Sequence, residues 1–428
     1  VKVIIVGNGI TGVTCALKLR QLQPEWSITL VSAESDYFFS RPALMYLYMG
    51  HMRPVDTQPY PAEFWRQNRI DLLRARVLGV DTANRRVLLQ QGGPLPYDRL
   101  LLATGSQPNK FGWPGQDLAG VQGLYSLQDL QTLEEASARI RRAVIVGGGL
   151  IGIELAEMLH SRGIAVTMLV RENSYWDNIL PREESTLINE VIREQGIDLR
   201  LQAELKEIVD DGSGRAGAVV TGAGDHLTCE LVGLTAGVGP NLSAVAQSDI
   251  PVGHGILVDF GFRTAVPDVF AAGDCAEIVT PAGQRNRLEQ LWYTGRMHGE
   301  VVAQNMAGAE VKYERGIWFN SAKFFDLEWH TYGQVPGALL EPELTPERSL
   351  YWQHPDHRHA LRLMLVEGRV VGLNAFGIRL RQRVCERWIQ AEWSAAQVLD
   401  DLGAAVFDPE FYRRFEAEIR LAMRGQIQ

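Results

Sequence analysis

Two short segments of the chain have the composition of phosphate cradles. Residues 3–12 read VIIVGNGITG and residues 144–152 read VIVGGGLIG. Each is a β-branched run, then GxGxxG, then a stretch with helical spacing. In such a turn the first glycine (Gly7, Gly147) permits the tight reversal. The second (Gly9, Gly149) lets the backbone approach a pyrophosphate, and the third (Gly12, Gly152) lets helix and strand pack closely. The start of the helix then offers free N–H groups to the phosphates. A second strand follows each helix, SITLV and AVTML. One glycine-rich turn says little. Two, each set in strand–turn–helix–strand, point to two dinucleotides in one chain, a flavin and a nicotinamide. Just past the second AVTML strand, Arg171 could hold a 2′-phosphate and Glu172 could accept ribose hydroxyls. The adjacent pair leaves NADH and NADPH both open.

A group that is missing matters as much. Residues 37–50, YFFSRPALMYLYMG, hold no cysteine. The four cysteines of the chain, Cys15, Cys229, Cys275 and Cys385, lie far apart and form no CxxC or CxxxxC pair. Neither a metal knuckle nor a redox dithiol is visible, and a secreted disulfide framework is not expected. Cys275 reads as a small buried residue.

The elements that must position these groups need more than one domain, since 428 residues exceed the usual size of one core. The charged fraction of 22% and apolar fraction of 46% are those of a globular protein. A formal net charge of −9 argues against general nucleic-acid affinity. The chain opens on the strand VKVIIVG, from which no signal peptide is expected, and no apolar run nears the ~20 residues that span a bilayer. A cytoplasmic protein is expected.

Two further segments, LLLATGS (residues 100–106) and TAVPDVFAAGD (residues 264–274), each read as a buried strand ending in a small-residue turn. Together with the first GxGxxG they resemble the FAD-dependent pyridine nucleotide-disulfide oxidoreductase superfamily, of glutathione-reductase fold. The similarity is to its non-disulfide branch: ferredoxin and rubredoxin reductases, nitrite-reductase flavin domains and apoptosis-inducing factor. It is strong over about residues 1–310 and weaker beyond. The resemblance implies an α/β chain with two Rossmann-like dinucleotide-binding domains (three-layer ββα) and an α+β C-terminal domain. The FAD-binding domain would be 1–112 and 244–311, the NAD(P)H-binding domain 113–243, and the C-terminal interface domain 312–428.

The resemblance also implies roles. Gly7, Gly9 and Gly12 would lie under the FAD pyrophosphate, Glu34 on the adenosine ribose, and Val77 beside the adenine. Ala103, Thr104 and Gly105 would form the crossover close to FAD, with Gly237 at the crossing back. Gly273 and Asp274 would sit at the ribityl chain. The helix opening around Glu289–Trp292 would aim its positive end at the flavin pyrimidine. Relatives carry Arg-Pro-x-Leu-Ser-Lys where this chain has Arg41-Pro42-Ala43-Leu44-Met45-Tyr46. Arg41 would then contact the FAD phosphates, and Tyr46 stands in place of a lysine that pairs, near the flavin N5, with a glutamate matched here by Glu154. Glu154 therefore needs another cation or a pKa raised by burial.

With no cysteine in residues 37–50, the resemblance implies electrons leaving the flavin directly. The expected enzyme is an FAD-dependent NAD(P)H oxidoreductase serving a soluble electron carrier such as ferredoxin or rubredoxin. A membrane-surface NAD(P)H:quinone reductase and a flavin-dependent redox sensor are the alternatives, and the oligomeric state is left open. IWFNSAKFFDLEWHTYG reads as alternating strands and LRLMLVEGRVVGLNAFG as a hairpin turning at Glu-Gly. Arg379, Arg381, Arg383 and Arg387 form either a solvated helix or a docking patch for an acidic carrier. Phe411, Phe415, Ile419 and Ala422 form a helical stripe expected to pack on the protein itself or a partner subunit, with a membrane surface as the alternative.

Overall fold

The computed structural model describes residues 1–338, 348–407 and 413–427. The chain forms two compact units, each assembled from three separate segments.

The first unit comprises residues 1–111, 123–139 and 237–315. Its centre is a parallel sheet of five strands, in the order Val269–Ala271, Arg99–Leu102, Lys2–Val6, Ser27–Ser32 and Ile70–Arg74. Val3, Ile5, Ile28, Leu100 and Leu101 are all buried, as expected of strands covered on both faces. Helix Ile10–Leu22 leaves the first strand through the glycine turn and packs on helix Trp292–Met306. Gly299 sets that contact, since a Cβ there would lie 2.6 Å from the carbonyl oxygen of Thr11. A small antiparallel sheet, Val77–Asp81, Arg86–Leu89 and Leu95–Pro96, completes the layers.

The second unit comprises residues 112–122, 140–236 and 316–428. It repeats the plan with parallel strands Asp198–Leu201, Ala165–Val170, Arg142–Val146, Leu231–Leu234 and Val121–Gln122. Helix Leu150–Ser161 follows its glycine turn. The same unit carries an antiparallel sheet in the order Phe319–Phe324, Leu327–Gly333, Arg369–Phe376, Ala360–Val366 and Arg348–Gln353. The expected Glu-Gly hairpin is there. Glu367 and Gly368 both adopt positive φ, 50° and 76°, as a two-residue turn matched to strand twist requires. The parallel halves with the added antiparallel sheet are the α/β architecture expected.

The closing stripe differs in one register. Helix Glu416–Arg424 buries Ile419 and Met423 below Phe415, while Ala422 faces solvent. Spacing of four rather than three keeps the large side chains in the core formed with Trp352, Trp388 and Leu402. Phe411 lies outside the described residues. No helix among the described residues is long and apolar enough to cross a membrane.

Candidate active site

In the first unit, Gly7 has φ +116°, and a Cβ on it would fall 2.0 Å from the carbonyl oxygen of Ala103. A Cβ on Gly12 would fall 2.0 Å from the carbonyl oxygen of Gly7. Strand, turn, helix and crossover are therefore locked by backbone approach alone. Gly9 differs, because a Cβ there would meet nothing within 4 Å. Gly9 is the N-cap of helix Ile10–Leu22, and no side chain caps that helix. The second turn has the same division of labour. Gly147 and Gly152 would clash with Thr235 and with Gly147 itself, Gly149 faces open space, and no side chain caps helix Leu150–Ser161. Open space before uncapped first-turn N–H groups fits a pyrophosphate in each unit.

Around the first turn the crossover is tightly wired. Thr104 Oγ1 donates to the carbonyl of Asn241 at 2.7 Å, and the Asn241 amide donates to the carbonyl of Gly105 at 2.9 Å. The Asn109 amide donates to the carbonyl of Gly237 at 3.1 Å, which ties the two crossing segments together. Asp274 follows Gly273 at the end of strand Val269–Ala271 and accepts from Ser106 Oγ at 2.9 Å. Gln290 Nε2 donates to Ser106 Oγ at 2.8 Å. Burial pushes the Asp274 carboxyl up, against the Ser106 hydrogen bond and the charges of Arg41 and His298. Trp292 is the first residue of its helix, which also lacks a side-chain cap. Glu289, three residues earlier, is turned inward, where it accepts from Tyr313 Oη at 2.6 Å. Val77 begins the strand that faces Leu89.

Glu34 and Arg41 meet each other. The guanidinium donates to both carboxylate oxygens of Glu34 at 2.9 and 2.6 Å, and to the carbonyl of Tyr125. It stacks 4.5 Å from the centre of the Tyr125 ring. The Leu127 amide also donates to Glu34, at 3.0 Å. Glu34 thus sits at the start of helix Leu127–Ser137 with a fixed counter-ion. Tyr46 lies half-buried on the short helix Leu44–Tyr48, its ring 6.2 Å from that of His51.

In the second unit, Glu154 lies on the helix that follows the glycine turn. Its carboxyl is pushed up to about 7, first by burial and then by the charge of Glu157, with Lys323 opposing. Lys323 is paired to Glu157 at 2.7 Å. At Glu154 burial therefore dominates, and Lys323, from the antiparallel sheet of the same unit, opposes it. Arg171 and Glu172 pair with each other at 3.0 Å, the arginine side chain 72% exposed and the glutamate 23%. Glu172 Oε2 lies 3.8 Å from the position a Cβ on Gly148 would take, which sets this carboxylate at the glycine turn.

All four cysteines are buried and unpaired. Burial raises each thiol, Cys229 to about 12, so none is poised as a thiolate at neutral pH. Three of the four arginines in the basic run are engaged: Arg379 with Glu328, Arg387 with Asp401, and Arg381 with the carbonyl of Ala404. Tyr125, Ser106, Gln290 and Lys323 were not foreseen in the sequence. Ser106 and Gln290 lie inside segments the sequence singles out, yet each of the four acts through a partner distant in the chain.

The sequence profile described as pyridine nucleotide-disulphide oxidoreductase matches residues 1–299. The chain is 29% identical over 335 residues to nitrite reductase [NAD(P)H] of Bacillus subtilis, covering 78% of this chain and 41% of that one. It is thus similar to less than half of that relative's length. It is 30% identical over 308 residues to the ferredoxin–NAD(+) reductase component of the biphenyl dioxygenase system of Paraburkholderia xenovorans, covering 72% of this chain and 75% of that one. Among solved structures, a NAD-dependent persulfide reductase from A. fulgidus superposes with a TM-score of 0.86 at 23% identity, covering 100% of this chain and 83% of that one. This last likeness is one of fold.

Proposed function

Because the chain belongs to the pyridine nucleotide-disulphide oxidoreductase family, we propose that it is an NAD(P)H-dependent FAD enzyme delivering electrons to a soluble carrier of the ferredoxin or rubredoxin kind. The observation that carries the acceptor side concerns thiols. Residues 37–50 hold no cysteine, and all four cysteines of the chain are buried and unpaired. A persulfide or disulfide route would need a reactive thiolate. FAD held there would supply the exchange between a two-electron donor, the nicotinamide, and a one-electron carrier.

The chain's own part is binding, orientation and charge. Gly9 and the start of helix Ile10–Leu22 receive one pyrophosphate, and Gly149 with helix Leu150–Ser161 receives the other. Ser106 and Gln290 hold Asp274 in place for a hydroxyl of the flavin side chain. Glu172, at the glycine turn, accepts the ribose hydroxyls of NADH, while Arg171 only neutralises it. Glu154 holds or loses a proton near neutral pH. Phe415, Ile419 and Met423 of the stripe are buried in their own unit's core. A cytoplasmic location fits a soluble carrier as partner.

The test is a variant with all four cysteines replaced by serine or alanine, loaded with FAD. NADH should still reduce ferricyanide, and should reduce cytochrome c when a [2Fe–2S] ferredoxin is added. Loss of both activities in a folded, FAD-loaded variant would overturn the thiol-free route. Ferricyanide turnover with no transfer to ferredoxin or rubredoxin would overturn the partner class.

A further inference from the structure

Away from either glycine turn, the loop that joins strands Arg348–Gln353 and Ala360–Val366 reads His354-Pro355-Asp356-His357-Arg358-His359. The His354 amide donates to the carbonyl of His359 at 2.8 Å, closing the loop so that the two histidines face each other. We propose that His354, Asp356 and His359 form a binding site for one zinc-type divalent cation.

The chemistry of the three side chains fits that cation. Two imidazole nitrogens and one carboxylate oxygen are a familiar zinc donor set, with a fourth position left to water. The three ligating atoms lie within 4.8 Å of one another. Asp356 Oδ2 is 2.9 Å from His354 Nδ1 and 2.8 Å from His359 Nδ1. Zinc distances near 2.0–2.1 Å in tetrahedral geometry put donors about 3.3 Å apart, so a modest outward shift of the rings suffices. The side chains are 13%, 35% and 26% exposed in chain order, which leaves a way in for an ion and its water.

The surroundings hold the donors in place. The Arg358 amide donates to Asp356 Oδ1 at 2.8 Å and so reserves Oδ2 for the histidines. The Asp356 amide donates to His354 Nδ1 at 3.2 Å, which requires a lone pair on that nitrogen. Phe415 packs against both rings, with centroids 4.4 Å from His359 and 5.2 Å from His354. Of the neighbouring side chains, Arg358 pairs with Glu194 and His357 is hydrogen-bonded to Glu190.

The test uses full-length, tag-free, FAD-loaded protein stripped with EDTA and titrated with Co(II), then with Zn(II). One equivalent of Co(II) should give the visible bands of a low-coordinate site, and Zn(II) should displace it. His354→Ala and His359→Ala should each weaken binding at least about tenfold. Asp356→Asn, which keeps the volume and can still accept from the Arg358 amide, should do the same in a protein that stays folded and FAD-loaded. His357→Ala should bind as the parent does. Failure of the parent to bind Co(II) stoichiometrically would overturn the proposal, leaving the three residues a hydrogen-bonded cluster. So would unchanged binding in both the Asp356→Asn and His359→Ala proteins.

Discussion

Replacing Glu154 with glutamine tests the electrostatics of the second unit directly. Burial and Glu157 lift this carboxyl from its usual 4.5 to about 7. Between those two pH values the folded chain keeps a proton that the unfolded chain has lost. Stability therefore falls as pH rises through the window, with no cost below 4.5 and the full cost above about 7. At about 1.36 kcal/mol for each pH unit separating the folded and unfolded pKa, the full cost is ~3 kcal/mol. Glu154→Gln removes the charge, so its stability relative to the parent should be unchanged at acid pH and greater by up to ~3 kcal/mol at alkaline pH. Urea unfolding of the two FAD-loaded proteins across the window measures this. Two further variants fix the cause. Glu157→Gln removes the repelling charge and releases Lys323, so the Glu154 transition should move down. Lys323→Met removes the opposing cation, so it should move up. A parent–variant difference that is flat with pH would refute the reasoning, as would partner variants that shift the transition in the same direction.

Three other outcomes are expected. Gly9→Ala should leave the apo protein's melting temperature unchanged, since its Cβ meets nothing within 4 Å, yet weaken FAD binding by about tenfold or more, ~1.4 kcal/mol; equal FAD affinity by fluorescence titration would show that no phosphate sits there. NADH should be preferred over NADPH, and Glu172→Ala should raise KM for NADH selectively by losing a charged hydrogen bond of ~1.5–3 kcal/mol, with Arg171→Ala having the smaller effect; the reverse order in steady-state kinetics would assign the ribose contact to Arg171. Tyr46→Lys adds a cation where relatives of the resemblance carry one, and should raise the two-electron flavin potential by about 30 mV for each ~1.4 kcal/mol of added charge interaction; a redox titration showing no rise would mean that position 46 does not face the flavin.

What could be read in the sequence was what the backbone alone determines. Gly7, Gly12, Gly147 and Gly152 need no partner side chain to be informative, because each marks a place where a Cβ would strike a carbonyl. The C-terminal hairpin at Glu367-Gly368 was legible for the same reason. The missing cysteine in residues 37–50 was legible because absence has no geometry to resolve. Side-chain partnerships across long chain separations were not. Glu34 and Arg41 each have a ligand role implied by the resemblance; the fold also brings the Leu127 amide to Glu34 from 93 residues away and joins the one acid and the one base in an ion pair. Lys323 reaches Glu157 across 166 residues, from a strand whose sequence gives no sign of it. The helical stripe erred by one residue at Ala422 because spacings of three and four both satisfy a 3.6 period, and only the volume of the core favours Met423. Glu154 and Glu157 lie on the helix after a glycine turn whose shape the backbone fixes, so that shape does not depend on their charge. Lys323, from the antiparallel sheet of the same unit, therefore acts on their charge and leaves the turn as the backbone sets it.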